Sequence, residues 1–464
     1  MRSPIRDTAF SRRAFLASLA AGAGGLALER IGLGSEATAG QRLPNFVVIF
    51  TDDQGYQDLG CFGSPNIKTP RIDKMAAEGM KFTDFYVSAP VCTPSRASLL
   101  TGCYAQRVSL PAVLFPNAKV GINPEETTLA ELLRDRGYAT CCIGKWHLGH
   151  LPPFLPTRNG FDRYFGIPYS NDMRPTPLLR DETPIEEPAD QATLTERYTE
   201  EAVKFIEINR HRPFFLYLPH TMPHVPLFVS ERFKDKSAAG LYGDVIECID
   251  WSTGQILDAI AKLGLDGNTL VIFVSDNGPW LGKGKNGGCA LPLRDGKFST
   301  YEGGMRVPCV MRWPGRIPAG KVCSELATTL DILPTFARLA GAEPPKDRII
   351  DGKDIWPLMS GAEGAKTPHE AFFYYRGYNL DAVRSGKWKL HFAHKVGGGK
   401  GKPPREVPAV LYDLDADIGE KTDVAAANPD VVKRLEALGE RMREDLGDSR
   451  QGRPGKNRRP CGKV

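Results

Sequence analysis

The sequence predicts an α/β protein with a large mixed, mainly parallel sheet flanked by helices, followed by a small C-terminal antiparallel sheet with a helix. One observation is a pair of apolar runs, residues 45–50 and 270–274, that lack the alternation of a half-solvated strand. Such runs are typical of parallel strands buried on both faces. The other is a change of pattern near residues 344–345, after which short strands and a Ser-Gly turn indicate an antiparallel sheet.

The N-terminal segment has the composition of an export signal. Paired arginines at residues 12–13 precede a stretch rich in Gly, Ala and Leu, and small residues follow at 37–39. This pattern is typical of a twin-arginine signal peptide, and its apolar part is too short to span a bilayer. We expect residues 1–39 to be removed and the protein to be exported to the periplasm or outside a bacterial cell, without a stable membrane anchor. An uncleaved anchor is the alternative.

The net charge and the spacing of the cysteines indicate which partners and which metal sites to expect. The 464-residue chain has a net charge of +5, and removal of residues 1–39 takes away five basic and three acidic residues, which leaves +3. So small a charge gives no reason to expect a nucleic-acid partner. The ten cysteines are scattered without a Cys-x-x-Cys pair. We therefore expect no zinc site and interpret most of these cysteines as core residues.

Acidic residues directly follow both apolar runs. Asp52 and Asp53 come after the first run, and Asp276 and Asn277 come after the second. Because ligands of parallel sheets bind at the carboxyl ends of the strands, we expect these side chains to lie together. Three carboxylates and an amide oxygen are suited to Ca²⁺ or Mg²⁺ and not to Zn²⁺. A helix N-cap or a turn is the alternative for an isolated Asp-Asp pair.

A short motif with a cysteine, Cys92-Thr93-Pro94-Ser95-Arg96, lies between these runs. Pro94 fixes its own φ and holds the preceding residue extended, so we expect Cys92 and Arg96 to be presented on a stiff segment. Arg96 would place a permanent cation near the cysteine. A buried structural cysteine next to a turn is the alternative.

A second motif ends in Lys145-Trp146-His147. In an extended segment alternate side chains share a face, so Lys145 and His147 would point into one pocket. The pair would offer a fixed positive charge for an anion and a group that transfers protons near neutral pH. A solvated strand end is the alternative for this motif on its own.

The two motifs, in this order, resemble the two signatures of the sulfatase family, and the resemblance covers roughly residues 43–445. It implies an alkaline-phosphatase-like fold. It also implies that a formylglycine-generating enzyme oxidises Cys92 to formylglycine (3-oxoalanine), whose hydrate is the nucleophile. The metal, usually calcium with Mg²⁺ as the alternative, would be held by the set Asp52, Asp53, Cys92, Asp276 and Asn277.

By the same resemblance, later segments supply the rest of the site. His224 matches the family's leaving-group histidine, Lys297 matches its second sulfate-binding lysine, and Ser170 matches a serine that hydrogen-bonds in the pocket. His220 is interpreted as a supporting or structural residue. Asp295 stands where relatives of the arylsulfatase A type often carry cysteine, which leaves Lys297 in place. The implied catalytic set is Cys92, Arg96, Lys145, His147, His224 and Lys297, and the implied substrate contacts are Ser170, Lys145, Lys297 and His224.

The predicted domain organisation follows from these segments. It consists of a signal peptide, a catalytic domain, a C-terminal subdomain and a basic disordered tail, at residues 1–39, 40–345, 346–448 and 449–464. In the subdomain, Asn428 is expected to cap a helix whose first turn contains Pro429. The tail is expected to be disordered because residues 450–464 contain six basic residues and no acid.

The expected function is hydrolysis of sulfate esters by the formylglycine hydrate and a divalent metal, acting on carbohydrate sulfates outside the cytoplasm. Loops at residues 172–192 and 279–294 are expected to line the mouth of the pocket. A formylglycine-dependent phosphonate or phosphate ester hydrolase is one alternative. A non-catalytic glycan-binding relative is the other.

Overall fold

In the computed structural model, which describes residues 42–396 and 405–464, a ten-stranded mixed sheet forms the centre of the molecule. The predicted signal peptide lies outside the described residues. Among the described residues, the strands are β1 (Asn45–Thr51), β2 (Met80–Phe82), β3 (Phe85–Tyr86), β4 (Val120–Gly121), β5 (Ala139–Ile143), β6 (Arg163–Gly166), β7 (Leu178–Arg180), β8 (Thr183–Glu186), β9 (Phe214–Pro219), β10 (Thr269–Ser275), β11 (Cys309–Arg312), β12 (Lys321–Cys323), β13 (Ala327–Thr328), β14 (Phe372–Arg376), β15 (Asn379–Ser385), β16 (Trp388–His391), β17 (His394–Val396), β18 (Arg405–Val407), β19 (Val410–Asp413) and β20 (Gly462–Lys463).

The α-helices lie mostly between these strands. They are α1 (Pro70–Glu78), α2 (Cys92–Thr101), α3 (Leu129–Asp135), α4 (Leu194–Ile208), α5 (Gly240–Lys262), α6 (Glu302–Met305), α7 (Ile332–Leu339), α8 (Trp356–Met359) and α9 (Pro429–Asp445). Short 3₁₀ turns connect several of them.

The strand order of the main sheet is β12-β2-β11-β10-β1-β9-β5-β6-β7-β8. Its central block, β10-β1-β9-β5-β6, is parallel throughout. On one side β11 runs antiparallel to β10, and on the other β7 and β8 form an antiparallel edge. The prediction of a mixed, mainly parallel sheet is confirmed. Part of the predicted mouth loop at 172–192 instead forms this edge.

The central strands are buried on both faces, which explains their unbroken apolar pattern. Along β1, Phe46, Val48 and Phe50 enter one hydrophobic core, and Val47 and Ile49 enter the other. Side chains of α2, α3 and α7 fill the first core, whereas those of α1, α4 and α5 fill the second. Each fully buried aliphatic or aromatic side chain stabilises the fold by about 1.5–3 kcal/mol.

A four-stranded antiparallel sheet, in the order β14-β15-β16-β19, follows with α9 packed on it, as predicted. The apolar face of α9 buries Leu435, Leu438 and Met442 in the first of the two cores, the one that α2, α3 and α7 fill. The expected cap is absent from the start of this helix. The Asn428 side chain donates through Nδ2 to the carbonyl oxygen of Val424 at 2.9 Å. Its amide therefore ties the helix back to the preceding turn.

The prediction of a disordered C-terminal tail is wrong for this structure. Residues 462–463 pair with β4 as β20. The guanidinium of Arg459 donates to both carboxylate oxygens of Glu126 at 2.7 and 2.9 Å, and Glu126 is almost fully buried. The Arg459 backbone N–H donates to the carbonyl of Arg107. The composition of this segment predicts solvated charges, but one of its basic residues, Arg459, neutralises a buried acid that lies far away in the sequence.

Replacing Arg459 should therefore destabilise the fold. Arg459→Ala leaves Glu126 buried with only the more distant Arg348, at 3.7 Å, so we expect a loss of about 1–3 kcal/mol in unfolding free energy. Lys456→Ala is the matched control, because Lys456 is exposed and its ion pair with Glu444 is long, at 4.0 Å. This substitution should change the unfolding free energy by no more than about 0.5 kcal/mol. Urea unfolding measures both. Equal, negligible effects would mean that the tail is not packed in solution.

Candidate active site

All five central parallel strands end at the same edge of the sheet, and each is followed by residues predicted for the site. These residues are Asp52 and Asp53 after β1, Lys145 and His147 after β5, Ser170 after β6, His220 and His224 after β9, and Asp276 and Asn277 after β10. Every one of them is buried. Cys92 and Arg96 reach the same place from α2, and Lys297 reaches it from the segment before α6.

The acidic residues form the centre of the site. One carboxylate oxygen from each of Asp52, Asp53 and Asp276 lies within 4.8 Å of the other two. Asn277 donates through Nδ2 to Oδ1 of Asp53 at 2.8 Å, and its own Oδ1 is buried without a hydrogen-bond partner in the part of the chain that the structure describes. Oδ1 of Asp52 is likewise buried and accepts no hydrogen bond from any described residue. Three carboxylates and one amide oxygen are a donor set that fits a hard divalent cation such as Ca²⁺ or Mg²⁺, and two of these oxygens, Asp52 Oδ1 and Asn277 Oδ1, have no other partner among the described residues.

Three cations balance the three carboxylates. Lys145 Nζ donates to Asp52 Oδ2 at 2.6 Å, and Lys297 Nζ donates to Asp53 Oδ2 at 2.7 Å. The Arg96 guanidinium donates through Nη2 and Nε to Asp276 Oδ2, at 2.8 and 3.1 Å. The cluster without metal is thus close to neutral, and a bound divalent cation would make it attract an anion such as a sulfate ester.

The carboxylates respond differently to this environment. Although burial opposes its charge, Lys145, His224 and Arg96 hold the pKa of Asp52 well below its usual range. For Asp276, burial and the neighbouring charge of Asp52 raise the pKa to about 7. Three carboxylates packed together cannot all ionise freely, and this is the electrostatic condition that a divalent cation relieves.

Cys92 begins a helix, and the prediction of an extended segment is wrong. The residues from Cys92 to Thr101 are all helical and buried, with Pro94 in the first turn. Proline is tolerated there because the first N–H groups of a helix have no partner within the helix. Cys92 and Arg96 therefore lie one helical turn apart, on the same face. The Thr93 hydroxyl donates to the carbonyl of His147 and so joins the two motifs.

Lys145 and His147 are brought together by a tight turn and not by an extended strand. β5 ends at Ile143, and Gly144 follows with φ of +128°, where an added Cβ would lie 1.9 Å from the carbonyl oxygen of Pro219. Only glycine fits this position. His147 has φ of +60°, in the left-handed region. Both side chains are buried and the charge of Lys145 acts on His147, but the alternation argument that led to the predicted common pocket does not apply.

The hydrogen bonds of His147 fix its tautomer. Its Nε2 lies 2.9 Å from the carbonyl oxygen of Leu114, which can only accept, so Nε2 carries the proton. Nδ1 is buried without a hydrogen-bond partner within residues 42–396 and 405–464, and it presents a lone pair. Burial and the charge of Lys145 lower the pKa of His147 well below its usual value. The side chain is therefore a neutral base at neutral pH.

His224 is oriented by a residue that the sequence did not single out. Its Nδ1 lies 2.6 Å from the carbonyl of Val225 and 3.0 Å from Oδ1 of Asn171, and its Nε2 lies 3.6 Å from Asp53 Oδ2. The Asn171 amide also donates to the carbonyl of His224. Burial lowers the pKa of His224 despite the opposing effect of Asp53. Asn171 directly follows Ser170, and no motif distinguishes it.

The other predicted residues differ in their contacts. The Ser170 hydroxyl accepts a hydrogen bond from Lys145 Nζ at 3.2 Å. Although burial opposes its charge, the Asp53 carboxylate raises the pKa of Lys297, so this amine stays charged. His220 has no hydrogen-bond partner on either ring nitrogen among the described residues, and burial lowers its pKa to about 3. The structural role predicted for His220 and the binding roles predicted for Ser170 and Lys297 stay predictions.

The cysteines do not form disulfides. All ten lie in the described ranges as free thiols, six of them fully buried. Burial raises the pKa of the Cys92 thiol, although Lys145 and Lys297 oppose this. In the protein as encoded, Cys92 is therefore a poor thiolate nucleophile at neutral pH. No helix within the described ranges combines the length and the apolar character required to cross a membrane.

Known proteins resemble this chain in sequence. The chain matches the Sulfatase family over residues 44–342 and the C-terminal region of aryl-sulfatase over residues 367–463. Arylsulfatase A of Homo sapiens is 41% identical over 445 residues, which cover 86% of this chain and 87% of that protein. N-acetylgalactosamine-6-sulfatase of Canis lupus familiaris is 42% identical over 394 residues, which cover 79% and 74%.

Solved structures agree with the sequence comparison. The crystal structure of Ps i-CgsB in complex with k-i-k-neocarrahexaose superposes with a TM-score of 0.75 at 32% identity, covering 86% of this chain and 93% of that one. The family implies a formylglycine and a divalent metal, and the buried acidic cluster is the feature of this chain that corresponds to the metal. Both the sequence and the fold thus lead to one conclusion: the chain belongs to the sulfatase family and is a sulfuric ester hydrolase.

Proposed function

We propose that this sulfatase uses a formylglycine derived from Cys92, together with Ca²⁺, to hydrolyse carbohydrate sulfates outside the cytoplasm. The observation that carries the proposal is the position of Cys92. It lies at the first turn of α2, buried beside a cluster of three carboxylates and three cations, and its own thiol is poorly ionised. A cysteine placed there is of little use as a thiol, whereas an aldehyde hydrate would offer two hydroxyl groups.

The residues that would hold the metal are Asp52, Asp53, Asp276 and Asn277, with the modified Cys92 completing the set. When bound, the cation would polarise a sulfate oxygen and lower the pKa of the attacking hydroxyl. The formylglycine hydrate would supply one hydroxyl for attack on sulfur and a second for release of sulfate. Mg²⁺ is the alternative occupant, because the donor set is all oxygen.

The surrounding side chains have separate tasks in this proposal. Lys145 and Lys297 bind the sulfate oxygens, and Ser170 holds Lys145 in place through its 3.2 Å contact. These charges are buried and preorganised, so they stabilise the negative charge that builds up in the transition state without rearranging. Arg96 keeps its two bonds to Asp276 and fixes α2 against the acidic cluster.

Two histidines divide the proton transfers. His147 is neutral, and its Nδ1 lone pair has no hydrogen-bond partner among the described residues, so this atom is placed to accept the proton of the hydroxyl that remains after the first transfer. His224 holds its Nδ1 proton against the Val225 carbonyl, so Nε2 is the atom that faces the substrate. His224 must take up a proton before it can act as an acid, and the bound sulfate anion and Asp53 both favour this uptake. Protonated His224, helped by Lys297, then donates to the departing alkoxide.

The carbohydrate assignment and the export both extend the family result. The canine relative is named for a sugar 6-sulfate, and the solved relative was crystallised with neocarrahexaose. These relatives support sulfated sugars as the substrate class of this chain. The twin-arginine motif at residues 12–13 supports export from a bacterial cytoplasm. The formylglycine-generating enzyme would be the maturation partner.

The proposal is tested on protein purified from a host that oxidises the cysteine. Mass spectrometry should find Cys92 as formylglycine, and a panel of sulfated mono- and oligosaccharides should be desulfated. A phosphate diester and an aryl sulfate serve as matched comparison substrates. A much higher kcat/KM for the phosphate diester would assign the chain to the alternative activity. Unmodified Cys92 in protein from its native source would favour the non-catalytic alternative.

The metal assignment predicts a link between cation and stability. Ca²⁺ should raise the melting temperature of the wild-type protein, because a ligand that binds only the folded state stabilises it by mass action. Asp52→Asn and Asp276→Asn should abolish activity and remove this response to Ca²⁺. Asp258→Asn, an exposed acid on α5, is the control and should keep both. Wild-type activity and melting temperature that survive exhaustive chelation would contradict the assignment.

The nucleophile assignment predicts a trapped intermediate in Cys92→Ser. In a host that oxidises only cysteine, the serine has one hydroxyl in place of two. Attack on sulfur can still occur slowly, but His147 has no second hydroxyl to deprotonate. Intact-mass measurement should show the mass of one added sulfate and no multiple turnover. His147→Ala in the mature enzyme should slow release of sulfate more than release of the alcohol. Sustained turnover by Cys92→Ser would refute the mechanism.

A further inference from the structure

Two aromatic side chains, the partly exposed Trp280 and the exposed Phe298, lie beside His224 and Lys297. The rings of Trp280 and Phe298 meet edge to face, with centroids 5.4 Å apart. The Trp280 ring is also 5.7 Å from the ring of His224. Lys297 Nζ lies 4.8 Å from the Trp280 ring and 5.4 Å from the Phe298 ring. We call Trp280 and Phe298 the aromatic pair.

Phe298 is held outward at a conformational cost. It has φ of +72°, which a bulky side chain rarely adopts, and 46% of the residue is exposed. Its backbone N–H donates to the carbonyl of Pro90, two residues before Cys92, and this bond holds the strained conformation in place. A left-handed conformation of this kind costs on the order of 1–3 kcal/mol. Core packing does not explain the strain, because nearly half of Phe298 faces solvent.

The aromatic pair lies on one side of the cluster. Its Trp280 ring lies beside His224, the proton donor to the leaving alkoxide in the proposed function, and beside Lys297, which binds a sulfate oxygen and assists that donor. His147, which acts on the modified Cys92, instead contacts the backbone of Leu114. The part of the substrate that meets the aromatic pair is therefore the alcohol and not the sulfate. Exposed aromatic faces bind the apolar faces of flat or ring-shaped ligands.

Basic side chains continue the surface outward. Lys283 and Lys285 are exposed on the turn that follows Trp280, and Lys283 Nζ lies 4.2 Å from the centroid of the Trp280 ring. Exposed ammonium groups beside a ring-binding surface favour an alcohol that itself carries negative charge. A sulfated glycan has both features, whereas a simple aryl sulfate has only the ring.

We infer that Trp280 and Phe298 form a subsite that stacks on the sugar ring bearing the scissile sulfate, and that Lys283 and Lys285 bind a second anionic group of the same glycan. This inference rests on the proposed function and narrows its substrate to ring alcohols with additional charge. In this arrangement the ring is held next to His224, so stacking also places the ester oxygen near the proton donor.

The test compares substrates in each variant. The probes are a panel of monosulfated pyranosides, a disulfated disaccharide, 4-nitrophenyl sulfate and the acyclic ester ethyl sulfate. Trp280→Ala and Phe298→Gly should lower kcat/KM for the best pyranoside about tenfold more than for ethyl sulfate. The double variant Lys283→Ala/Lys285→Ala should lower kcat/KM for the disulfated disaccharide more than for the pyranoside, and added salt should shrink this difference.

Two controls separate recognition from folding. Phe298→Gly should not lower the melting temperature, because glycine adopts φ of +72° without strain. Ile208→Ala removes a residue that is 73% exposed at the end of α4, before β9 begins and thus at the opposite edge of the sheet. Ile208→Ala should leave the ratio of kcat/KM between any two of these substrates unchanged. A marked fall in the melting temperature of Phe298→Gly would mean that the ring is structural.

The outcomes distinguish this inference from the proposed function. No hydrolysis of any sulfate ester by formylglycine-containing protein would refute the proposed function itself. Equal losses on the pyranoside and ethyl sulfate would refute the subsite while leaving the sulfatase chemistry intact. Turnover of 4-nitrophenyl sulfate alone, with the same dependence on the aromatic pair, would show that the pair binds aryl rings and would overturn the glycan assignment.

Discussion

The site depends on one constraint, the mutual neutralisation of six buried charges. Asp52, Asp53 and Asp276 pair with Arg96, Lys145 and Lys297, and each of the six is at most 8% exposed. Removing one member leaves its partner buried and uncompensated, which typically costs about 3–5 kcal/mol. The six residues come from separate segments, at the ends of β1, β5 and β10, in α2 and before α6. Folding therefore assembles the site, and the same ion pairs contribute both to the stability of the fold and to the electrostatics of the site.

Backbone strain is concentrated at the same place. Of the eight non-glycine residues with positive φ in the described ranges, Asp53, His147, Asp295 and Phe298 belong to the site or flank it directly. Asp53 and His147 are thereby aimed into the cluster where a regular strand end would direct them elsewhere. The surrounding packing holds these residues in conformations that cost on the order of 1–3 kcal/mol each. Such strain fixes the geometry before substrate arrives, which is how preorganised charges lower a barrier.

The sequence predicted the parts of the fold that follow from local pattern. Unbroken apolar runs identified β1 and β10, and the polar residues after them identified the acidic cluster, because both features lie within a few residues. The local pattern did not predict features that depend on a residue's position within a helix or on contacts with distant parts of the chain. Pro94 predicts an extended chain, but the first turn of a helix accepts proline. The local sequence predicts a solvated charge at Arg459, because its partner, Glu126, is 333 residues away. No local sequence pattern distinguishes Asn171 or Phe298, because their contacts are with residues of other segments, His224 and Trp280 respectively.

The burial of Cys92 limits when this residue can be modified under the proposed function. Cys92 is 2% exposed, and all ten residues of α2 are buried. α2 shares its hydrophobic core with α7, which lies more than 200 residues later in the chain. An enzyme that oxidises Cys92 must therefore act before that later segment has packed, while residues 92–96 are still accessible. Twin-arginine export carries folded proteins, so under the proposed function the oxidation belongs to the cytoplasm and precedes folding. Cys92 in a chain that folds first would stay a thiol whose pKa is raised by burial, and the assembled charge cluster would have no nucleophile to activate.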